Sequence, residues 1–155
     1  MLGYLGLRRL RWVGVGALAA ASLGIGALVH AEATKPTETV QSVRTLLSSG
    51  ETVVGEQIKY PEGAPAKVTS LLLTMGQGEQ TGWHTHGVPV FGYILEGELT
   101  VDYGDKGKRV YRTGDALLEA INVRHNGQNT GNGPVRLLVV FMGADGIKMT
   151  VPSAN

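Results

Sequence analysis

Three histidines carry most of the chemistry available to this chain. His84 and His86 flank Thr85, and His125 follows in another strand-rich stretch. Side chains two apart on a strand point to the same face. Two imidazoles on one face can hold a metal ion, and a third meeting them would complete a site. The fourth histidine, His30, lies in the N-terminal segment, so every remaining histidine belongs to this pattern. The chain has no Cys, which excludes a disulfide framework, thiolate ligands and a Cys nucleophile. An imidazole must be neutral to bind a metal, so affinity is expected to fall below about pH 6.5.

The elements that must position these residues are short. From Val40 onward, apolar segments alternate with turn residues. Strands are expected at 43–47, 52–58, 68–75, 88–95, 98–103, 108–112, 116–121, 135–142 and 147–151, with residues 41–48 as an alternative helical turn. Residues 76–82 and 126–134, rich in Gly and Asn, read as loops. No later segment keeps a helical period over a helical length. About nine short strands at this spacing imply a sandwich or barrel. A mature chain of about 120 residues suffices to close a small all-β barrel around a usable interior.

Residues 1–33 read as a signal peptide. Arg8, Arg9 and Arg11 form a basic start, an uncharged run of 18 residues follows from Trp12 to Val29, and Ala31-Glu32-Ala33 fits a cleavage site. An uncleaved membrane anchor is the alternative, since the run approaches the shortest membrane span. Either reading puts the rest of the chain outside the cytoplasm, periplasmic or secreted, or anchored at the inner membrane facing the periplasm. Residues 34–39 read as a flexible entry and 40–155 as the barrel. The formal charge of +1 belongs to the leader; without it, 11 basic and 12 acidic residues remain. No block of like charge points to nucleic acid, and no membrane contact is expected beyond the N-terminal segment.

Two spaced patterns surround the histidines. Gly78, His84, His86, Val90 and Gly97 follow the spacing G-x5-H-x-H-x3-E-x6-G, with Val90 at the Glu position. Gly114, Ala120, Asn122, His125 and Asn129 follow G-x5-P-x-G-x2-H-x3-N, with Ala120 for Pro and Asn122 for Gly. A spacer of 16 residues separates Gly97 from Gly114. Over residues 68–142 the chain resembles the cupin superfamily, and at motif level its small single-domain, quercetin-dioxygenase-like members. The resemblance implies a double-stranded β-helix, a jelly-roll barrel, with His84, His86 and His125 on one metal. It also implies a small-molecule substrate and pairing into a homodimer.

The departure at Val90 removes the usual carboxylate ligand. The remaining neutral imidazoles suit iron, copper, nickel or zinc, with iron foremost, and argue against manganese. An open coordination position then remains for water, dioxygen or substrate. Glu119, where the motif has an apolar inward residue, is the candidate compensating group: a pocket carboxylate acting as ligand, orienter or general base. A shift of one residue in the strand would put it in solvent instead. Trp83 is read as a wall of the barrel or its mouth, or as simple packing. Gly92 is read as leaving space for a ligand or easing curvature, Asn129 as holding the loop after His125, and Arg124 and Arg136 as surface charges, with the greeting of an anionic substrate as the alternative. The function expected is a mononuclear metal oxidoreductase, dioxygenase-like. The alternative is a non-catalytic periplasmic module that binds a small molecule or metal.

Overall fold

A computed structural model of the chain describes residues 42–153. The segments read as leader and flexible entry, 1–33 and 34–39, lie outside the described residues. Nine strands follow in chain order: β1 (Ala66–Met75), β2 (His84–His86), β3 (Val90–Glu96), β4 (Glu98–Asp102), β5 (Lys108–Arg112), β6 (Ala116–Leu118), β7 (Asn126–Asn129), β8 (Val135–Ala144) and β9 (Thr150–Pro152). A single turn of 3-10 helix, Gly104–Lys106, is the only helical element among the described residues.

All strand pairs are antiparallel, as expected of an all-β jelly-roll fold. One sheet has the order β1-β8-β3-β6, a second β5-β4-β7, and β2 pairs with β9. Alternation decides what faces inward. Leu71, Leu73 and Met75 of β1, Val90, Gly92 and Ile94 of β3, and Leu137, Val139 and Phe141 of β8 share the inner face, where most of them line one cavity. Leu99 and Val101 of β4 meet them from the opposite sheet. Ile94 is fully buried, and each such aliphatic side chain contributes roughly 1.5–3 kcal/mol relative to exposure.

The β3–β4 hairpin turns on Gly97, whose φ of 86° favours glycine. The Pro134 carbonyl oxygen would lie 2.4 Å from any added Cβ there, so this position needs glycine twice over.

Several expected elements differ. Residues 43–47 and 52–58 form no ladder; Val43 is 89% exposed, and only an isolated bridge joins Glu51 to Gln57. Apolar content there had no partner strand to act on. Conversely, the Asn- and Gly-rich stretch 126–129 is strand β7, paired with β4 from Leu99–Asn129 to Asp102–Asn126. Tertiary pairing overrides weak local propensity. The last strand is shorter than expected, and β6 stops at Leu118, so Glu119 lies just beyond the ladder.

Candidate metal centre

Backbone pairing brings the three histidines together. His84 and His125 form an isolated antiparallel bridge, exchanging N–H···O bonds of 3.0 and 2.9 Å. Residues paired this way project side chains on the same face. His86 follows two residues along β2, on that face again. The ring centroids lie 4.9 Å (His84–His86), 4.4 Å (His84–His125) and 5.0 Å (His86–His125) apart. One nitrogen from each ring lies within 4.8 Å of the other two, the separation that a shared ion requires.

The protein also orients each ring. Nδ1 of His84 lies 2.7 Å from the Gly82 carbonyl oxygen, Nδ1 of His86 3.1 Å from that of Met149, and Nδ1 of His125 2.9 Å from that of Val123. A carbonyl only accepts, so Nδ1 must carry the proton in all three rings. The lone pairs then sit on Nε2, as a metal ligand needs. His125 is 1% exposed, and its Nε2 has no hydrogen-bond partner among the described residues. An orphaned buried acceptor costs free energy unless something binds it. These residues fit a metal ion bound through three imidazoles.

Val90 points into the same cavity but packs with Val88 and Phe141, 3% exposed. The position where a cupin carboxylate would stand is therefore apolar. Glu119 does face inward and lines the cavity. Its Oε1 accepts a 2.8 Å bond from the Tyr103 hydroxyl and a 3.0 Å bond from the Ala120 N–H. Tyr111 OH lies 3.1 Å from Tyr103 OH, which completes a buried polar chain. Sequence reasoning missed both tyrosines; Tyr103 is 1% exposed although it sits at a turn. Burial pushes the Glu119 carboxyl up, against the Tyr103 and Ala120 bonds and nearby His84. The same burial, with the Glu119 charge beside it, pushes the Tyr103 hydroxyl up. Glu119 is not among the clustered ligand atoms, so its geometry fits an orienter or base better than a ligand.

The cavity has a volume of about 600 Å³. Leu, Val, Met and Phe side chains dominate its wall; the polar exceptions are chiefly the histidines, Glu119, Thr81, Thr150 and Ser153. No described Lys or Arg lines it. Trp83 is part of the wall, with the Arg124 guanidinium 4.4 Å from its ring centroid. Gly92 lines the cavity too, but Leu117 Cδ2 would lie 2.8 Å from any Cβ there, so that space is already filled by Leu117. Asn129 is buried; its Nδ2 donates to the Met75 and Gly133 carbonyls, at 2.9 and 2.8 Å, and ties the β7–β8 loop down. Arg136 is half exposed and pairs with Glu96 at 3.9 Å.

Burial dominates the protonation of the histidines. It lowers His86 to about 3, helped by the other two imidazoles, against the Met149 carbonyl. It also lowers His84 and His125, against the Gly82 carbonyl and against the Val123 carbonyl and Glu56, respectively. The fold thus favours the neutral form of all three rings below pH 6.5, with His86 lowered to about 3, and this moves the expected loss of metal to lower pH. For stability the sign follows from proton counting. Between pH 6.5 and each folded value, the unfolded chain binds protons that the folded chain does not, so stability falls as pH falls. Glu119, raised in the fold, works in the opposite sense, but one carboxyl opposes three imidazoles. The melting temperature of metal-free protein is therefore expected to drop from pH 7 to pH 5 by calorimetry, and His86→Gln should flatten that slope. A melting temperature independent of pH in this range would contradict neutral buried histidines.

Residues 71–141 match the family model of the cupin domain. Residues 71–141 thus form a cupin-superfamily domain, and its three clustered histidines are placed to hold a metal ion. Among solved structures, a Bacillus halodurans protein is 25% identical over 55% of this chain and 69% of its own, with a TM-score of 0.47. An oxalate decarboxylase of Lactobacillus farciminis is 20% identical over 55% of this chain and 26% of its own, with a TM-score of 0.48. An oxalate oxidase is 22% identical over 55% of this chain and 45% of its own, with a TM-score of 0.48. The chain thus spans well under half of the decarboxylase and just under half of the oxidase. No curated protein sequence matches it.

Proposed function

We propose that the protein is a mononuclear metal-dependent oxidoreductase of the dioxygenase type, acting outside the cytoplasm on a small, largely apolar organic molecule. One observation carries this reading: three convergent imidazoles and a single carboxylate, Glu119, share an apolar cavity of about 600 Å³. The extracytoplasmic location rests on the composition of residues 1–33, and a homodimeric assembly belongs to the same reading.

His84, His86 and His125 would hold the ion through Nε2. Neutral nitrogen ligands without a carboxylate suit iron, copper, nickel or zinc, and the dioxygenase reading takes iron first. Such an ion supplies Lewis acidity and, if redox-active, a place for electron exchange with dioxygen. The chain's own residues do the rest. The aliphatic wall binds the body of the substrate and excludes water. With no Lys or Arg among the described residues of the lining, a small dianion is disfavoured and a neutral molecule with one polar head favoured. Tyr103 and Ala120 occupy Glu119 Oε1, which leaves Oε2 to accept a proton from an acidic hydroxyl of a phenol or enol.

The test combines elemental analysis of protein purified without added metal with oxygen uptake against phenols, diketones and thiols. About one equivalent of iron or copper, with uptake that a chelator stops, is the expected result. Saturable binding of an aromatic compound with no uptake from any class would replace this reading with a non-catalytic binding module.

A further inference from the structure

A carboxylate outside the cavity grips the turn that leads into His125. Glu56 lies in the segment that precedes β1, far from the histidines in sequence. Its Oε2 accepts the Ile121 N–H at 2.7 Å and its Oε1 accepts the Asn122 N–H at 2.8 Å. Each oxygen thus takes one of two consecutive backbone donors, a charge-assisted pair stronger than neutral bonds. The strap holding Glu56 is itself fixed. Thr52 and Glu56 exchange backbone and hydroxyl bonds, and Val53 N–H reaches the Leu118 carbonyl at 2.8 Å.

The turn that Glu56 grips serves two of the three histidines. The Ile121 carbonyl accepts the His86 N–H at 2.9 Å. The Val123 carbonyl accepts Nδ1–H of His125 at 2.9 Å. This is also the turn where Ala120 and Asn122 stand in place of a ring-restricted Pro and a Gly. Neither residue restricts its backbone as a pyrrolidine does. Burial raises the Glu56 carboxyl, but the Ile121 and Asn122 N–H groups, together with the Asn122 side chain and the Thr52 hydroxyl, outweigh it and hold the group below the usual carboxylate value. The clamp is therefore charged at neutral pH.

We infer that Glu56 is a positioning residue for the metal centre: by holding the Ile121 and Asn122 N–H groups, it fixes the Ile121 carbonyl that anchors the His86 backbone and the Val123 carbonyl that aims the His125 ring. The inference rests on the three-histidine reading for its metal readout, but not for its second one. Glu56→Gln replaces one acceptor oxygen with an amide NH2 that faces a backbone donor. Val53→Ala serves as control, because it loosens the same strap by loss of packing against the core and keeps the carboxylate.

The experiment titrates cobalt(II) chloride into metal-free full-length wild type, Glu56→Gln and Val53→Ala, followed by visible absorption. Glu56→Gln is expected to bind about tenfold more weakly, at the lower end for loss of an outer-shell partner. Val53→Ala, with a comparable fall in melting temperature, is expected to bind as wild type does. In parallel, side-chain 15N spectra of the metal-free proteins report the imidazole tautomers. Both the His86 and His125 rings should be Nδ1–H in wild type; in Glu56→Gln His125 should be mixed, while His86, whose Nδ1–H is held by the Met149 carbonyl, should stay as it is. Wild-type affinity and unmixed tautomers in Glu56→Gln, or equal weakening by Val53→Ala, would overturn the inference. If the wild type binds no cobalt yet Glu56→Gln mixes the tautomers, the metal reading falls and the positioning role stands.

Discussion

His125→Ala is expected to lower metal affinity by more than about a hundredfold. Loss of a partner that merely orients a ligand already costs 10–100-fold, and loss of a ligand costs more. The effect is largest at His125 because its Nε2 is buried and without another partner, and because it bridges His84 directly. Removing it leaves only the two imidazoles of β2 from the ligand cluster. The metal-free variant should still fold. Truncation gives up packing and the Val123 bond, but it also removes an orphaned acceptor, and these changes oppose one another. The decisive measurement is the rise in melting temperature on adding metal. Binding to the native state alone stabilises by RT ln(1 + [L]/Kd), so wild type should gain roughly 3–4 kcal/mol at 100–1,000 times Kd. His125→Ala, at least a hundredfold weaker, should gain no more than about 0.4–1.4 kcal/mol at the same concentration. An equal rise in both proteins would place the metal elsewhere and end the three-histidine account.

The second large effect is expected at Glu119→Gln. A positioned general base contributes about 10²–10⁴-fold to a rate, so oxygen consumption should fall by that factor once a substrate is in hand. Metal content should stay the same, since the carboxylate lies outside the ligand cluster. The amide oxygen can still accept from Tyr103 OH and Ala120 N–H, so the local structure has no reason to change. Stability at neutral pH should hold or rise, because the substitution removes a buried ionisable group that burial disfavours in its charged form. Loss of turnover without loss of stability separates a catalytic role from a structural one. Full activity in Glu119→Gln would reduce Glu119 to packing. Loss of metal together with activity would make it a ligand.

The contrast between residues shows which parts of this protein local sequence can specify. The His-x-His pair and the distant third histidine were legible because strand periodicity alone puts His84 and His86 on one face. The inward direction of Glu119 was legible for a similar reason, through its place beside the second motif. The expectations that erred were local ones. Residues 43–47 and 52–58 looked like strands by composition, and 126–129 looked like a loop. Strand formation needs a partner ladder, and only the fold supplies one.

The sequence by itself determined the cupin class, the all-β content and the identity of the three imidazoles, because side-chain type and a period of two are properties of the chain. Tertiary structure decided what those side chains can do. It set the imidazole tautomers through the Gly82, Met149 and Val123 carbonyls, built the Tyr103–Glu119 contact across 16 residues, and brought Glu56 to a turn 65 residues away. Hydrogen bonds of this kind depend on distances of about 3 Å between atoms remote in sequence. No local pattern encodes such distances; the packed barrel does.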